Sequence, residues 1–243
     1  MKKILFIFVA LITAMPTFAQ SDDDEEVYSS GTKTKKNAFF IGPKVGLVMT
    51  SMNQPSQGKL YDAAGMGFSG GIAMKMRFGQ ASEASIGGTG YFGIGAELKY
   101  KQNKVKTLGT DEDGNKKADL AINYFEVPVY AQAYPFATST AMNTLYIEAG
   151  VSIAGTMSRS PKTLEIQDPS TLSITTYLID TDESKIKGFD VRPIVGLGYT
   201  IPNTGLDINA RYYVGASDLS KSFKCKMSSF EFSVAWMFNA ARF

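Results

Sequence analysis

Twelve charged residues fall on one face of short alternating segments. Lys44, Lys75, Arg77, Lys99, Arg192 and Arg211 stand against Glu97, Glu126, Glu148, Asp190, Asp207 and Glu231. A pair such as Glu97 and Glu126 could divide acid and base roles between two carboxylates. Little else in the chain supports catalysis. There is no histidine, which removes Ser-His triads, His-ligated metals and imidazole bases. The single cysteine, Cys225, allows no intramolecular disulfide and no cysteine cluster. It reads as a free thiol in a polar loop. The six basic and six acidic groups balance, and buried charge must be paired. They are therefore expected to form ion pairs and hydrogen bonds across an interior. No residue is assigned a catalytic, cofactor-binding or metal-binding role, and no cofactor is expected.

The elements that position these charges show a period of two. One face of the first carries Phe39, Ile41, Val45, Leu47 and Met49. The second carries Phe68, Ile72, Met74, Met76 and Phe78, and the third Phe92, Ile94, Ala96, Leu98 and Tyr100. Five further segments follow, near 120–135, 145–157, 189–200, 206–215 and 230–239. That makes eight strands, an even number, each expected to be about ten residues or longer, enough to cross a bilayer when tilted. The connections alternate between long (51–66, 103–119, 159–185, 218–228) and short (79–88, 137–143, 202–204). Both termini then lie on the short-connection side. Leu172–Ile179 is expected to extend a strand or hairpin beyond the membrane. Pro43, Pro128 and Pro193 fall inside strands, where each deletes a ladder donor, so local bulges are expected. Phe243 is out of phase with Phe238, which an overhang or a bulge near 239–242 would explain.

The N-terminus reads as an export signal over residues 1–19. Lys2 and Lys3 precede an apolar run from Ile4 to Met15, Pro16 breaks it, and cleavage is expected after Ala19. The run is shorter than the roughly 20 residues a membrane helix needs. A polar periplasmic leader spans 20–38, and the barrel domain 39–243. The formal net charge of +2 falls to zero when Lys2 and Lys3 are removed, and nothing suggests a nucleic-acid partner.

Alternation also fits a soluble barrel with its apolar face inward. Three features favour lipid outside. Glycine and serine crowd the polar face, as a narrow interior needs: Gly46, Gly71, Gly93, Gly95, Gly150, Ser152, Gly196, Gly198 and Gly215. Aromatics gather at strand ends on the apolar face, as in the girdles of membrane barrels. Phe39, Phe78, Phe92, Tyr199, Trp236 and Phe238 would lie near the short connections. Phe68, Tyr100, Phe125, Phe189 and Phe230 would lie near the long ones. Third, the polar-face charges nearly cancel. The fold class is therefore all-β, an eight-stranded antiparallel up-and-down transmembrane barrel with a side-chain-filled lumen.

Certain segments carry a family resemblance: Gly93-Ile94-Gly95-Ala96-Glu97-Leu98-Lys99-Tyr100, Tyr124-Phe125-Glu126-Val127-Pro128-Val129, Leu145-Tyr146-Ile147-Glu148-Ala149-Gly150 and Arg211-Tyr212-Tyr213-Val214-Gly215. Over about 37–243 the chain resembles the PorT-like outer-membrane β-barrel domain family common in Bacteroidetes, similar in architecture to the OmpA and OmpX barrels. Family members often carry Leu after the last glycine, where this chain has Ala216. The resemblance implies a barrel in the outer membrane and no catalytic residues. Some relatives assist a secretion machine, a role these residues do not transfer. The expected partners are outer-membrane lipid and a protein bound through the long external loops. The expected function is non-enzymatic, structural or partner-binding, with an accessory role in export open. A soluble periplasmic barrel for a small apolar ligand, or a narrow channel, is the alternative.

Overall fold

The structure is a computed structural model that describes residues 36–53, 63–80, 90–106, 120–139, 141–160, 163–167, 174–178, 187–202, 204–219 and 226–242. The expected signal peptide, most of the leader, Cys225 and Phe243 lie outside the described residues. The strands are β1 (Lys36–Asn53), β2 (Ala63–Gln80), β3 (Phe92–Lys106), β4 (Leu120–Ala133), β5 (Leu145–Ser160), β6 (Thr163–Gln167), β7 (Ile174–Leu178), β8 (Phe189–Thr200), β9 (Leu206–Tyr213), β10 (Lys226–Trp236) and β11 (Phe238–Arg242). β1 begins at Lys36, three residues before the expected start of the domain.

Each strand pairs antiparallel with its neighbour in the order β10-β9-β8-β5-β4-β3-β2-β1-β11, and β10 also pairs with β1. That last pairing closes the sheet into a barrel. β10 and β11 are two pieces of one final strand, so the barrel has eight staves. β6 and β7 form a separate two-stranded hairpin in the connection between β5 and β8. Closure removes every barrel edge, which is the condition for placing a sheet in hydrocarbon.

The burial pattern is inverted relative to a soluble protein. Val45, Leu47, Ile72, Ile94, Val129, Ile147, Val151, Val195 and Leu197 are exposed, while Lys44, Glu97, Lys99, Glu126, Arg192, Arg211 and Glu231 are buried. Val45 is 66% exposed and its neighbour Lys44 5%. Successive side chains point to opposite faces of a strand, so one sequence pattern builds both surfaces. From Phe39 to Met49 every outward residue is apolar. At a rise of about 3.3 Å per residue and a tilt of about 40°, that run is about 25 Å tall, the height of the apolar band of a membrane barrel.

The three prolines do not cause bulges. Register runs unshifted through Pro43↔Ile72, Pro128↔Ser152 and Pro193↔Val151. Each sits instead where the ladder on one side is interrupted. Pro128 falls in the gap between Ala96↔Val129 and Lys99↔Glu126. Pro193 lies one residue past the last β8–β9 pair, Ile194↔Tyr213. Pro43 lies opposite the break between β10 and β11. A missing N–H costs nothing where no acceptor faces it. At that break Met237 turns its N–H to the Gly205 carbonyl, 2.7 Å away. Gly205 has φ of 74° and closes the short turn before β9. A bulge does occur at the C-terminal end. Ile41↔Phe238 and Phe40↔Asn239 give way to Phe39↔Ala241, so Ala240 is the extra residue and the outward positions change from even to odd numbers. β9 is eight residues long, shorter than expected, because its ladder with β8 ends at Tyr213.

Val195 lies on the outer face opposite Ala149, at mid-height. Val195→Arg should destabilise the folded barrel by about 2–4 kcal/mol, as read by denaturant unfolding in phospholipid vesicles.

Candidate functional site: a sealed, charge-filled lumen

The inward side chains form a continuous ladder of alternating charge. Nearest the short connections, Lys75 Nζ lies 2.6 Å from Asp207 and donates to the Tyr146 hydroxyl at 2.8 Å. Tyr146 and Thr200 donate to the same carboxylate. Above it, Arg211 bridges two acids, with Nε 2.6 Å from Glu148 and Nη2 2.9 Å from Glu97. Gln132 and Asn209 complete the shell of Glu148. Glu97 is the hub. It also meets Lys44 at 2.8 Å and Lys99 at 3.5 Å, and accepts from the Tyr130 hydroxyl at 3.1 Å.

Lys99 carries the chain on to Glu231 at 2.7 Å, which Ser69 also supports. Lys101 stands 3.8 Å from Glu231 and 3.9 Å from Glu126. Arg192 then links Glu126 at 3.3 Å to Asp190 at 2.6 Å. Ser217 donates to Asp190. Aromatic faces cover the cations: Tyr213 lies under Lys101, Tyr130 under Arg211 and Tyr124 under Arg192. Cations stacked on such rings gain electrostatic stabilisation that grows when water is excluded.

One expected site residue, Arg77, behaves differently from the rest, and one conceivable carboxylate pair does not form. Glu97 and Glu126 are separated by Lys99, Glu231 and Lys101, so they form no acid–base dyad. Arg77 makes no ion pair among the described residues. It donates to the carbonyls of Gly90 and Asn143 and stacks on Tyr134 at 3.8 Å. Its place in the ladder is taken by Lys101, which the sequence reading omitted. β3 runs to Lys106, past the expected end at Tyr100, and the continued alternation puts Lys101 inside. The other expected charges, Lys44, Lys75, Lys99, Arg192, Arg211, Glu97, Glu126, Glu148, Asp190, Asp207 and Glu231, all enter the ladder.

Apolar side chains close the lumen at both ends. Ala38, Phe40, Ala73, Ala235 and Met237 pack together at the short-connection end. At the other end Val48, Met52, Val105, Leu120, Ile122 and Met227 are buried on the inward face. Asn103 Nδ2 reaches Met227 across the barrel at 3.5 Å. The inward face thus changes from polar to apolar above the charge ladder, a reversal the alternation alone does not reveal.

The interior glycines are seats for rings. A Cβ on Gly95 would stand 2.3 Å from Tyr130 Cε2, and one on Gly198 would stand 2.3 Å from the Tyr146 ring. Each tyrosine lies flat across the glycine of the paired strand, Gly95↔Tyr130 and Tyr146↔Gly198. At these two positions small beside large packs the narrow bore.

On the outside, the expected aromatics sit in two bands. Near the short connections Phe92, Trp236 and Phe238 are exposed and Phe39, Phe78 and Tyr199 are half-buried. Trp236 stacks on Phe238 with ring centroids 6.2 Å apart. Near the long connections Phe68 contacts Tyr100, with centroids 5.6 Å apart. Tyr100 pairs across to Phe125, and Phe189 and Phe230 are exposed. Tyr212, opposite Phe230, also faces outward, as does Phe136 in a short connection.

The family model described as outer membrane protein beta-barrel domain matches residues 18–221. The chain belongs to this family. The barrel is accordingly an outer-membrane one, and the soluble periplasmic alternative falls with its apolar face turned outward. This outer-membrane barrel is similar to Ail, the attachment invasion locus protein of Yersinia pestis, at 12% identity over 83% of this chain and 99% of that one, with a TM-score of 0.40. It is similar to Neisserial surface protein A at 10% identity over 84% and 99%, TM-score 0.43. For the outer membrane protein OprG of Pseudomonas aeruginosa the values are 11%, 86% and 99%, TM-score 0.37. No curated protein matches it in sequence.

Removing one member of a buried ion pair leaves its partner uncompensated. Glu97→Gln leaves Lys44 without its carboxylate and takes one of two from Arg211 and from Lys99, and should cost about 3–5 kcal/mol in vesicle unfolding. Gly95→Val should cost about 1–3 kcal/mol by forcing the Tyr130 ring off its seat. Part of that loss should return in the Gly95→Val/Tyr130→Ala double variant, measured in the same way.

Proposed function

We propose that this outer-membrane barrel is a non-enzymatic, non-conducting scaffold. Its working surface is the long-connection end, where it presents loops to a protein partner. The observation that carries this reading is the filled lumen: among the described residues an ion-paired ladder is held between two groups of buried apolar side chains. Conserved or not, loops on a rigid barrel are where such a protein can recognise another surface.

The orientation follows from the connections. Membrane barrels keep short turns in the periplasm and long loops outside, which puts the β6–β7 hairpin on the cell exterior. We assign residues 1–19 as an export signal removed after Ala19, and 20–35 as a periplasmic leader. The segments around Glu97, Glu126, Glu148 and Arg211 support membership among the PorT-like barrels of Bacteroidetes. The two aromatic bands are proposed as interfacial girdles, in contact with outer-membrane lipid.

The purified barrel in planar bilayers should give no discrete conductance steps under voltages at which a porin conducts readily. Steady single-channel openings by the wild type would replace this reading with that of a narrow channel. Crosslinking through the β6–β7 hairpin in intact cells should capture a protein partner. Loss of that product on deleting the hairpin, with barrel folding intact by heat-modifiable gel mobility, would locate the contact.

A further inference from the structure

The charge ladder is balanced, and among the described residues one buried cation stands outside it. Six inward cations (Lys44, Lys75, Lys99, Lys101, Arg192, Arg211) meet six carboxylates (Glu97, Glu126, Glu148, Asp190, Asp207, Glu231). Arg77 is the seventh cation. It is 3% exposed and has no carboxylate partner among the described residues. A buried charge with no counter-charge is expensive, and proteins compensate it. Two carbonyls and a tyrosine face supply partial charges and leave a full positive charge.

Arg77 also borders a small cavity near the short-connection end, lined by Phe40, Lys75, Arg77, Tyr134, Thr144, Thr200 and Met237. Its free space is about 20 Å³, room for one water-sized occupant. The polar groups of the wall are rich in donors. Thr144 Oγ1 is buried and has no hydrogen-bond partner. Arg77 has five N–H donors; its bonds to the carbonyls use Nε and Nη2, leaving those on Nη1. Lys75 spends two of its three N–H donors on Asp207 and Tyr146. Thr200 has turned its hydroxyl to Asp207, whose charge Lys75 cancels.

We infer that this cavity is a binding site for a single small monovalent anion of chloride size, held by the Arg77 guanidinium and the Thr144 hydroxyl. Bound there, the anion completes the charge balance of the lumen and gives the orphaned hydroxyl an acceptor. Water satisfies the hydroxyl and leaves the charge, so the site prefers an anion. Phe40 and Met237 form its apolar floor and exclude larger, strongly hydrated anions such as sulfate. The site lies at the end where the termini and short turns gather, away from the loops proposed to meet a partner, so it stands or falls independently of that reading.

The test uses the full mature chain refolded in detergent and crystallised in sodium bromide. One anomalous bromide peak should appear within hydrogen-bond reach of Arg77 and Thr144. In parallel, the unfolding temperature is followed as chloride replaces gluconate at constant ionic strength. The wild type should gain stability saturably with chloride. Thr144→Val, which keeps the charge, should weaken the apparent chloride affinity roughly tenfold, the worth of one hydrogen bond to a charged group. Arg77→Gln should abolish the dependence. If Arg77→Gln fails to fold, the Thr144→Val series and the bromide map decide. An empty or water-filled cavity in bromide, or equal stabilisation by chloride and gluconate, overturns the proposal.

Discussion

Hydrocarbon on the outside is the constraint from which the rest of this molecule follows. A lipid-facing surface accepts no unpaired N–H or C=O and almost no charge. The sheet must therefore close, and every polar side chain on the strands must turn inward. With eight strands the bore is narrow, so the charges brought inside have little water to share. They must satisfy one another. The ladder from Lys75–Asp207 through Arg211, Glu97, Lys99, Glu231 and Lys101 to Arg192–Asp190 is the resulting arrangement.

Such a ladder gives specificity more readily than stability. Desolvating an ion pair costs about what the pair returns, whereas breaking one leaves a charge with nowhere to go. The network therefore acts as a register lock. Lys99 and Glu231 are 132 residues apart in sequence, and they meet only when all the intervening strands are paired in the correct stagger. A one-residue slip would turn every inward charge to lipid. The tyrosine rings over Gly95 and Gly198 add a steric version of the same lock, since a ring placed across a pleat fits only where the facing residue lacks a side chain.

The ends of the lumen are treated differently from its middle. Phe40 and Met237 below, and Met52, Val105, Leu120, Ile122 and Met227 above, shield the charges from bulk water. Shielding strengthens each electrostatic contact. β1, β3, β4 and β10 carry these upper residues beyond the outer aromatic band, so the strands there pack a small core of ordinary polarity, apolar inside. The barrel is inverted where it meets lipid and conventional where it meets water.

Much of this was legible in the residues alone. The period of two, the apolar face with aromatics at its ends, and the glycine-rich charged face together determine the class of fold, the inward direction of the charges and their near-cancellation, because each is a local property of a pleated strand. The pairings are a different matter. That Glu97 gathers Arg211, Lys44 and Lys99, that Glu97 and Glu126 are kept apart, that Lys101 joins the ladder and Arg77 does not, all depend on the stagger between strands and on where each strand ends. Those quantities belong to the closed barrel as a whole. The apolar seals were hidden for the same reason: the face that is polar at mid-height becomes apolar above it, and only the height of each residue in the finished cylinder distinguishes the two.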